Sequence, residues 1–270
     1  MSYEGPIIDV HTHVFWDDGE RYPLPAGREE GAGTYLELAR EAGVAVSGAI
    51  VMAPRDDLKH TRRLNDRVIS LAREASGRLF AIGSVHPLDG EAAIAELERI
   101  AAEGVRVLKL HPNTQGFDVA APEVAAVVAR AGELGVIVLF DAYSPFDANQ
   151  PGKFALLAMA NPGTHLILAH MGGVNFQDML VFHVLGLYPE YARNAWFDLS
   201  ATAAMFAGSP YAPHLGWVAR RLGTDRLLFG SDYPMASTPA DAIAALRSLG
   251  FDEVEERQIL HDNAAQLLSL

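Results

Sequence analysis

The chain has 270 residues, half of them apolar, a formal charge of −13 at pH 7 and no cysteine. Its acidity argues against a nucleic-acid or anionic-membrane partner, and the lack of thiols excludes cysteine catalysis, thiolate metal sites and disulfides. The apolar runs are far shorter than the ~20 residues of a bilayer span and the first residues carry no secretory-signal pattern, so a cytoplasmic location is expected.

Ile7-Ile8-Asp9-Val10-His11-Thr12-His13-Val14 reads as a short apolar strand ending in two histidines at i, i+2. Side chains two apart share a face of a strand and stand roughly 6.5–7 Å apart along it. Two imidazoles so placed can reach one ion at the usual zinc–nitrogen distance of about 2.0–2.1 Å. Asp9 shares that parity one step deeper, where it could orient a ligand from behind. Taken alone, the pair also fits a plain strand end with two hydrogen-bonded histidines.

A loop over 15–33, rich in glycine, proline and charge, is long enough for a lid or binding loop. A helix over 35–40 stops at Gly43, and a buried strand over 49–52 ends at Pro54-Arg55. A helix over 65–75 leads to a strand over 79–85 that ends at His86-Pro87. Ile94, Leu97 and Ile100 are spaced for a helix over 92–102, and the strand over 105–110 ends at His111-Pro112. A helix over 122–134, with proline near its start and Gly135 after its end, precedes a strand over 136–140 and then Asp141. The pattern continues with a helix over 154–160, a strand over 165–169 running into His170-Met171-Gly172-Gly173, and a helix over 176–187. Next come a strand over 195–199, a helix over 217–222 and a strand over 226–230 running into Ser231-Asp232-Tyr233-Pro234. Two helices, near 240–249 and 254–268, close the chain.

Eight short apolar strands thus alternate with helices, and no pair is joined by a hairpin signal. Alternation favours parallel strands, and eight units in this length predict an α/β fold of the (β/α)8 TIM-barrel type, one domain over 1–270. A doubly wound open sheet is the rival, but its Gly-x-Gly-x-x-Gly signal after the first strand is missing. Gly172-Gly173 reads as a tight strand-to-helix turn.

In a parallel barrel the C-terminal strand ends gather at one mouth, where active sites sit. That rim would hold His11 and His13, Arg55, His86, Lys109 and His111, Asp141, His170, Asp198 and Asp232, whereas the N-terminal strand ends show mainly glycines and turn residues. Such one-sided placement points to a metal centre. Lys109 and His111 share parity and could hold a substrate carboxylate, as could Arg55, whose planar fork matches one. His60, His183, His214 and His261 fall on helices or their flanks and are assigned structural roles, as is Trp196 in the core.

The chain resembles the amidohydrolase superfamily, in its amidohydrolase-2 branch. The matching segments are Ile8-Asp9-Val10-His11-Thr12-His13, 104–112 around Lys109-Leu110-His111-Pro112, 168–173 around His170-Met171-Gly172-Gly173, 229–234 around Ser231-Asp232-Tyr233-Pro234, and the tail 259–264. The resemblance implies a distorted (β/α)8 barrel binding one divalent ion, zinc first, with manganese or iron as alternatives. It makes His11 and His13 metal ligands and Asp232 a ligand that also handles the proton of an attacking water. It makes His170 a ligand or a catalytic acid/base. Relatives commonly carry a histidine ligand where this chain has Asp141, so Asp141 enters the expected ligand set as a departure from the pattern. A carboxylated strand-four lysine occurs elsewhere in the superfamily; here the Lys109 segment looks more like the mononuclear branch, with an uncarboxylated lysine.

Two readings of function arise. The first is a metal-dependent hydrolase of a small organic acid, lactone, ester or amide, with non-oxidative decarboxylation of a small carboxylic acid as the alternative chemistry from the same parts. The second is a barrel without turnover that binds a small acid. The expected partner is a small molecule, bound by the chain alone or as a homo-oligomer. If Asp141 and Asp232 face each other, repulsion should raise the pKa of at least one of them.

Overall fold

The computed structural model describes residues 2–13 and 31–270. Residues 14–30, most of the expected lid or binding loop, lie outside them. The strands are β1 (Ile7–His13), β2 (Val44–Ile50), β3 (Leu79–Ser84), β4 (Val107–Leu110), β5 (Ile137–Asp141), β6 (Leu166–Ala169), β7 (Ala195–Asp198) and β8 (Leu227–Leu228). All neighbours pair in parallel and in sequence order from β1 to β8. Helices occupy the connections, as right-handed parallel crossovers require. The expected (β/α)8 barrel is therefore the observed architecture. Among the described residues, no helix is long and apolar enough to cross a membrane.

The ring closes without a regular ladder. Beyond the two residues of β8 the chain leaves β7 and bonds to β1 instead. Val10 N donates to Phe229 O at 3.0 Å, Asp232 N to His11 O at 2.8 Å, and His13 N to Tyr233 O at 2.7 Å. These bonds fix the segment carrying Asp232 directly against the segment carrying the two histidines.

Strand alternation sorts the core into two clusters. Ile8, Val10, Val107, Ile137, Leu139, Ile167, Trp196 and Leu228 fill the barrel interior. Leu108, Leu110, Val138, Phe140, Leu166 and Leu168 point outward and pack with the surrounding helices. Continuing the inward row along β4 and β5 gives Lys109, then His111, and Asp141. The apolar floor and the polar mouth are thus one set of positions read upward.

Several predicted elements shift. β2 begins at Val44 rather than 49, because Ile7 finds its partner there. β4 begins at Val107 rather than 105, and β8 is shorter than predicted for the closure reason above. The helix predicted over 176–187 is a 3-10 segment, His170–Met179, followed by the helix Leu180–Leu185. Met171, Gly172 and Gly173 at φ 41°, 84° and 57° break the helical path. The helix predicted from 217 begins at Ala212, and a π turn, Gln258–Asp262, interrupts the last one.

Candidate metal centre

A β-bulge in β1 builds the centre. Asp9 pairs with Ser47 and Thr12 with Ala49, so three steps on β1 match two on β2. An extra residue resets the side-chain alternation and re-aims the residues beyond it. Ile8 and Val10 face the barrel interior, and after the bulge His11 and His13 do so as well. Asp9 consequently leaves the face it was expected to share with the histidines. Its Oδ2 accepts from the Tyr35 hydroxyl at 3.2 Å, and its Oδ1 accepts the backbone N–H of His11 and of Ser231 at 3.1 and 3.0 Å. Asp9 pins the strands; it does not orient an imidazole. Burial raises its pKa to about 7.

The group that orients His11 is Asp198, on β7. Its Oδ2 lies 2.7 Å from His11 Nδ1, and both residues are fully buried. Burial raises the Asp198 pKa to about 6, opposed by His170 and Ser200, so a carboxylate faces the ring at neutral pH. Burial, reinforced by the Lys109 charge, holds His11 well below the usual histidine range and therefore neutral. A neutral imidazole donating from Nδ1 presents a lone pair on Nε2, the form a metal requires.

Around that lone pair the donors converge. Asp232 Oδ1 stands 3.5 Å from His11 Nε2 and 3.3 Å from His13 Nε2. One donor atom from each of the three residues lies within 4.8 Å of the others. Two ligands about 2.1 Å from a tetrahedral ion are separated by about 3.4 Å, so these residues fit a divalent ion. Burial would raise Asp232, but the hydrogen bond from His13 and the charges of His170, His13 and Lys109 prevail and keep it below the ordinary carboxylate value.

His170 and Asp141 are engaged with each other. His170 Nε2 lies 3.2 Å from Asp141 Oδ2, and His111 Nε2 lies 3.4 Å from the same oxygen. Tyr143 N donates to Asp141 Oδ1 at 3.4 Å. The His170 ring stands 5.0 Å from that of His11. Burial opposes charge on both partners, yet the mutual hydrogen bond and nearby opposite charges win. Asp141 is held below the carboxylate range, and His170 is pushed up to about 9. The expectation that repulsion raises one aspartate is thus overturned: both are lowered, because imidazoles and Lys109 face them. His111 goes the other way, down to about 4, through burial and the Lys109, His13 and His170 charges against the pull of Asp141.

The remaining expected residues divide. Lys109, 1% exposed, brings Nζ to 3.4 Å from His11 Nε2; burial lowers its pKa against the pull of three aspartates. Arg55 pairs with its neighbour Asp56 at 3.4 Å, its side chain 57% exposed, and among the described residues it makes no contact with the cluster. His86 turns away to the Gln115 carbonyl at 2.7 Å. His170 and Asp232 have φ of 62° and 53°. Such backbone costs non-glycine residues about 1–3 kcal/mol each and collects at functional sites. The sequence had Asp198 on the rim without a role and did not single out Ser200; the parity of Trp196 and Asp198 on strand seven was the available signal.

The His170–Asp141 pair has a pH signature. His170 lies above its ordinary 6.5, so the stabilisation it contributes is complete below that value and disappears as pH rises through about 9. Asp141 is lowered, and its share is lost only in strong acid. In metal-stripped protein His170 should titrate near 9 by NMR, and Asp141→Asn should lower that value by roughly one to three units. An unchanged titration would show that Asp141 does not hold the proton there.

Across residues 8–270 the chain matches the sequence model of the family described as amidohydrolase. Compared by sequence with curated proteins, it finds no match. Among solved structures it is similar to 2,6-dihydroxybenzoate decarboxylase from Rhizobium, with TM-score 0.74 and 16% identity over 98% of this chain and 99% of that one. The 5-carboxyvanillate decarboxylase of Sphingomonas paucimobilis gives TM-score 0.69 and 17% identity over 98% and 99%. A Pseudomonas putida protein assigned as a 2-pyrone-4,6-dicarboxylic acid hydrolase gives 0.71 and 20% over 97% of each chain. At these identities the likeness is one of fold.

Proposed function

The chain belongs to the amidohydrolase family, and from that premise we propose that it is a metal-dependent hydrolase of a small organic acid, or of its lactone, ester or amide. The observation that carries the proposal is the convergence of His11 Nε2, His13 Nε2 and Asp232 Oδ1. Zinc is the proposed ion, with manganese or iron as alternatives suited to nitrogen and oxygen donors. A divalent ion held there polarises a substrate oxygen and acidifies a water.

The side chains supply the rest. Asp232, kept ionised by its neighbours, takes the proton of the attacking water. His170, kept protonated by Asp141, donates to the leaving group and stabilises the developing negative charge. Lys109 holds a substrate carboxylate as a point charge. His170 and Asp141 remain alternative ligands in this scheme, and His111 and Arg55 alternative contacts for the carboxylate. The protein is proposed to act in the cytoplasm as one domain, alone or as a homo-oligomer, on a small molecule and without nucleic-acid or membrane partners.

Decarboxylation is the second reading, favoured by the same protonated His170 and by the two decarboxylases of similar fold. The carbon–carbon bond breaks, carbon dioxide leaves, and the electron pair left on carbon takes the His170 proton. The deciding experiment incubates zinc-loaded protein with lactones, amides and aromatic or unsaturated carboxylic acids. Acid release without trapped carbon dioxide supports hydrolysis; trapped carbon dioxide supports decarboxylation. No turnover by the loaded protein across the panel would leave only a binding barrel. For the accepted substrate, Lys109→Met should raise KM about 10- to 100-fold, the worth of a charged hydrogen bond; an unchanged KM would remove Lys109 from the carboxylate site.

A further inference from the structure

Two imidazoles with different proposed tasks are held from behind by one short segment. Asp198 accepts from His11 Nδ1 at 2.7 Å. Ser200 Oγ lies 2.9 Å from the same Asp198 oxygen and 3.1 Å from His170 Nδ1, with His11 Nδ1 at 3.3 Å. The Ser200 carbonyl lies 3.2 Å from His170 Nδ1. A carboxylate at neutral pH and a carbonyl accept only. Nδ1 therefore carries a proton in both rings, the charged His170 holding a second on Nε2 toward Asp141, and both Nε2 atoms are turned toward the mouth. The serine hydroxyl spends its one proton on Asp198 and accepts from His170, which makes a continuous path His170–Ser200–Asp198–His11.

The segment is built for this. Ser200 is 1% exposed, and its N–H donates to Asp198 Oδ1 at 2.6 Å. Thr202, also buried, donates its hydroxyl to the His170 carbonyl. Gly230 packs over the pair so closely that an added Cβ would stand 2.7 Å from both Asp198 Oδ1 and His11 Cβ. Only a residue without a side chain lets the chain after β8 close there.

We propose that Asp198 and Ser200 are one positioning unit, which sets the Nε2 atoms of a metal ligand and of the acid/base through a shared hydroxyl. Neither residue needs to touch substrate. The assignment deepens the metal-enzyme reading and rests on it for the tasks that the two Nε2 atoms serve. Outer partners of metal-bound histidines are typically worth 10–100-fold in affinity.

The test uses zinc titrated into metal-stripped protein by chelator competition, together with NMR of the imidazole nitrogens and their protons. Asp198→Asn should weaken zinc binding about 10- to 100-fold and mix the two tautomers of His11. Ser200→Ala should weaken zinc binding by less and move the His170 Nδ1–H resonance upfield; Ser200→Thr, which keeps the hydroxyl, should restore both. Parent-like zinc affinity and an unmoved His170 resonance in Ser200→Ala would overturn the proposal. So would a Ser200→Thr variant as impaired as Ser200→Ala, since packing would then explain the loss. If the parent itself binds no zinc, the metal-enzyme reading fails separately, and the imidazole resonances still decide the hydrogen-bonded path.

Discussion

With His11 and His13 both replaced by alanine, the protein is expected to bind no divalent ion above background while keeping its barrel. The double change removes two of the three donors that converge within 4.8 Å, and Asp232, the third, is not a site by itself. The barrel should persist because its interior is filled below the mouth by residues such as Val107, Leu139, Ile167 and Leu228, and a mouth contributes little to that core. The backbone bonds closing β1 on the segment after β8 use main-chain atoms of residues 11 and 13, which alanine retains. One cost is foreseeable: Asp198 loses the His11 ring, a partner worth about 1–3 kcal/mol at a buried carboxylate, although Ser200 still donates to it twice. Elemental analysis beside circular dichroism checks both halves. Full metal occupancy in the folded double variant would refute the ligand assignment.

Replacing His170 with asparagine is expected to lower kcat by about 10²- to 10⁴-fold, the usual worth of a positioned general acid, with metal content unchanged. His170 Nε2 is spent on Asp141 at 3.2 Å rather than on the His11–His13–Asp232 set, so the three-donor site survives its loss. Electrostatics agree, since a residue pushed up to about 9 carries a proton at neutral pH. Its left-handed backbone, φ 62°, is a further cost accepted at this position. Metal lost together with activity would instead make His170 a ligand, and unchanged kcat would remove it from the chemistry.

The barrel was legible because two independent patterns agreed: apolar strands alternated with helices, and the polar residues fell at only one end of each strand. The same logic placed His11, His13, Asp141, His170 and Asp232 on one rim. Side-chain parity within β1 was not legible. A bulge leaves no mark in the apolar pattern, yet it turns Asp9 outward to Tyr35 and the histidines inward. The partner of His11 was hidden for a related reason, because Asp198 and Ser200 are far away in sequence and meet it only when the barrel closes. Arg55 shows a different limit of strand-end position, which does not say where a long side chain lies: in the structure it pairs with Asp56. The two-residue β8 reflects competition between neighbours, since the apolar run 226–230 continues while its hydrogen bonds pass from β7 to β1.

The proposed function requires a divalent ion held by His11, His13 and Asp232 for turnover. The most direct measurement is elemental analysis of the purified protein, followed by chelation and zinc reconstitution on whichever substrate class is accepted. About one equivalent of a divalent ion per chain is expected, with loss of turnover when it is stripped and recovery when zinc is returned. Turnover that continues in stripped protein, with no ion bound in stoichiometric amount, would contradict it.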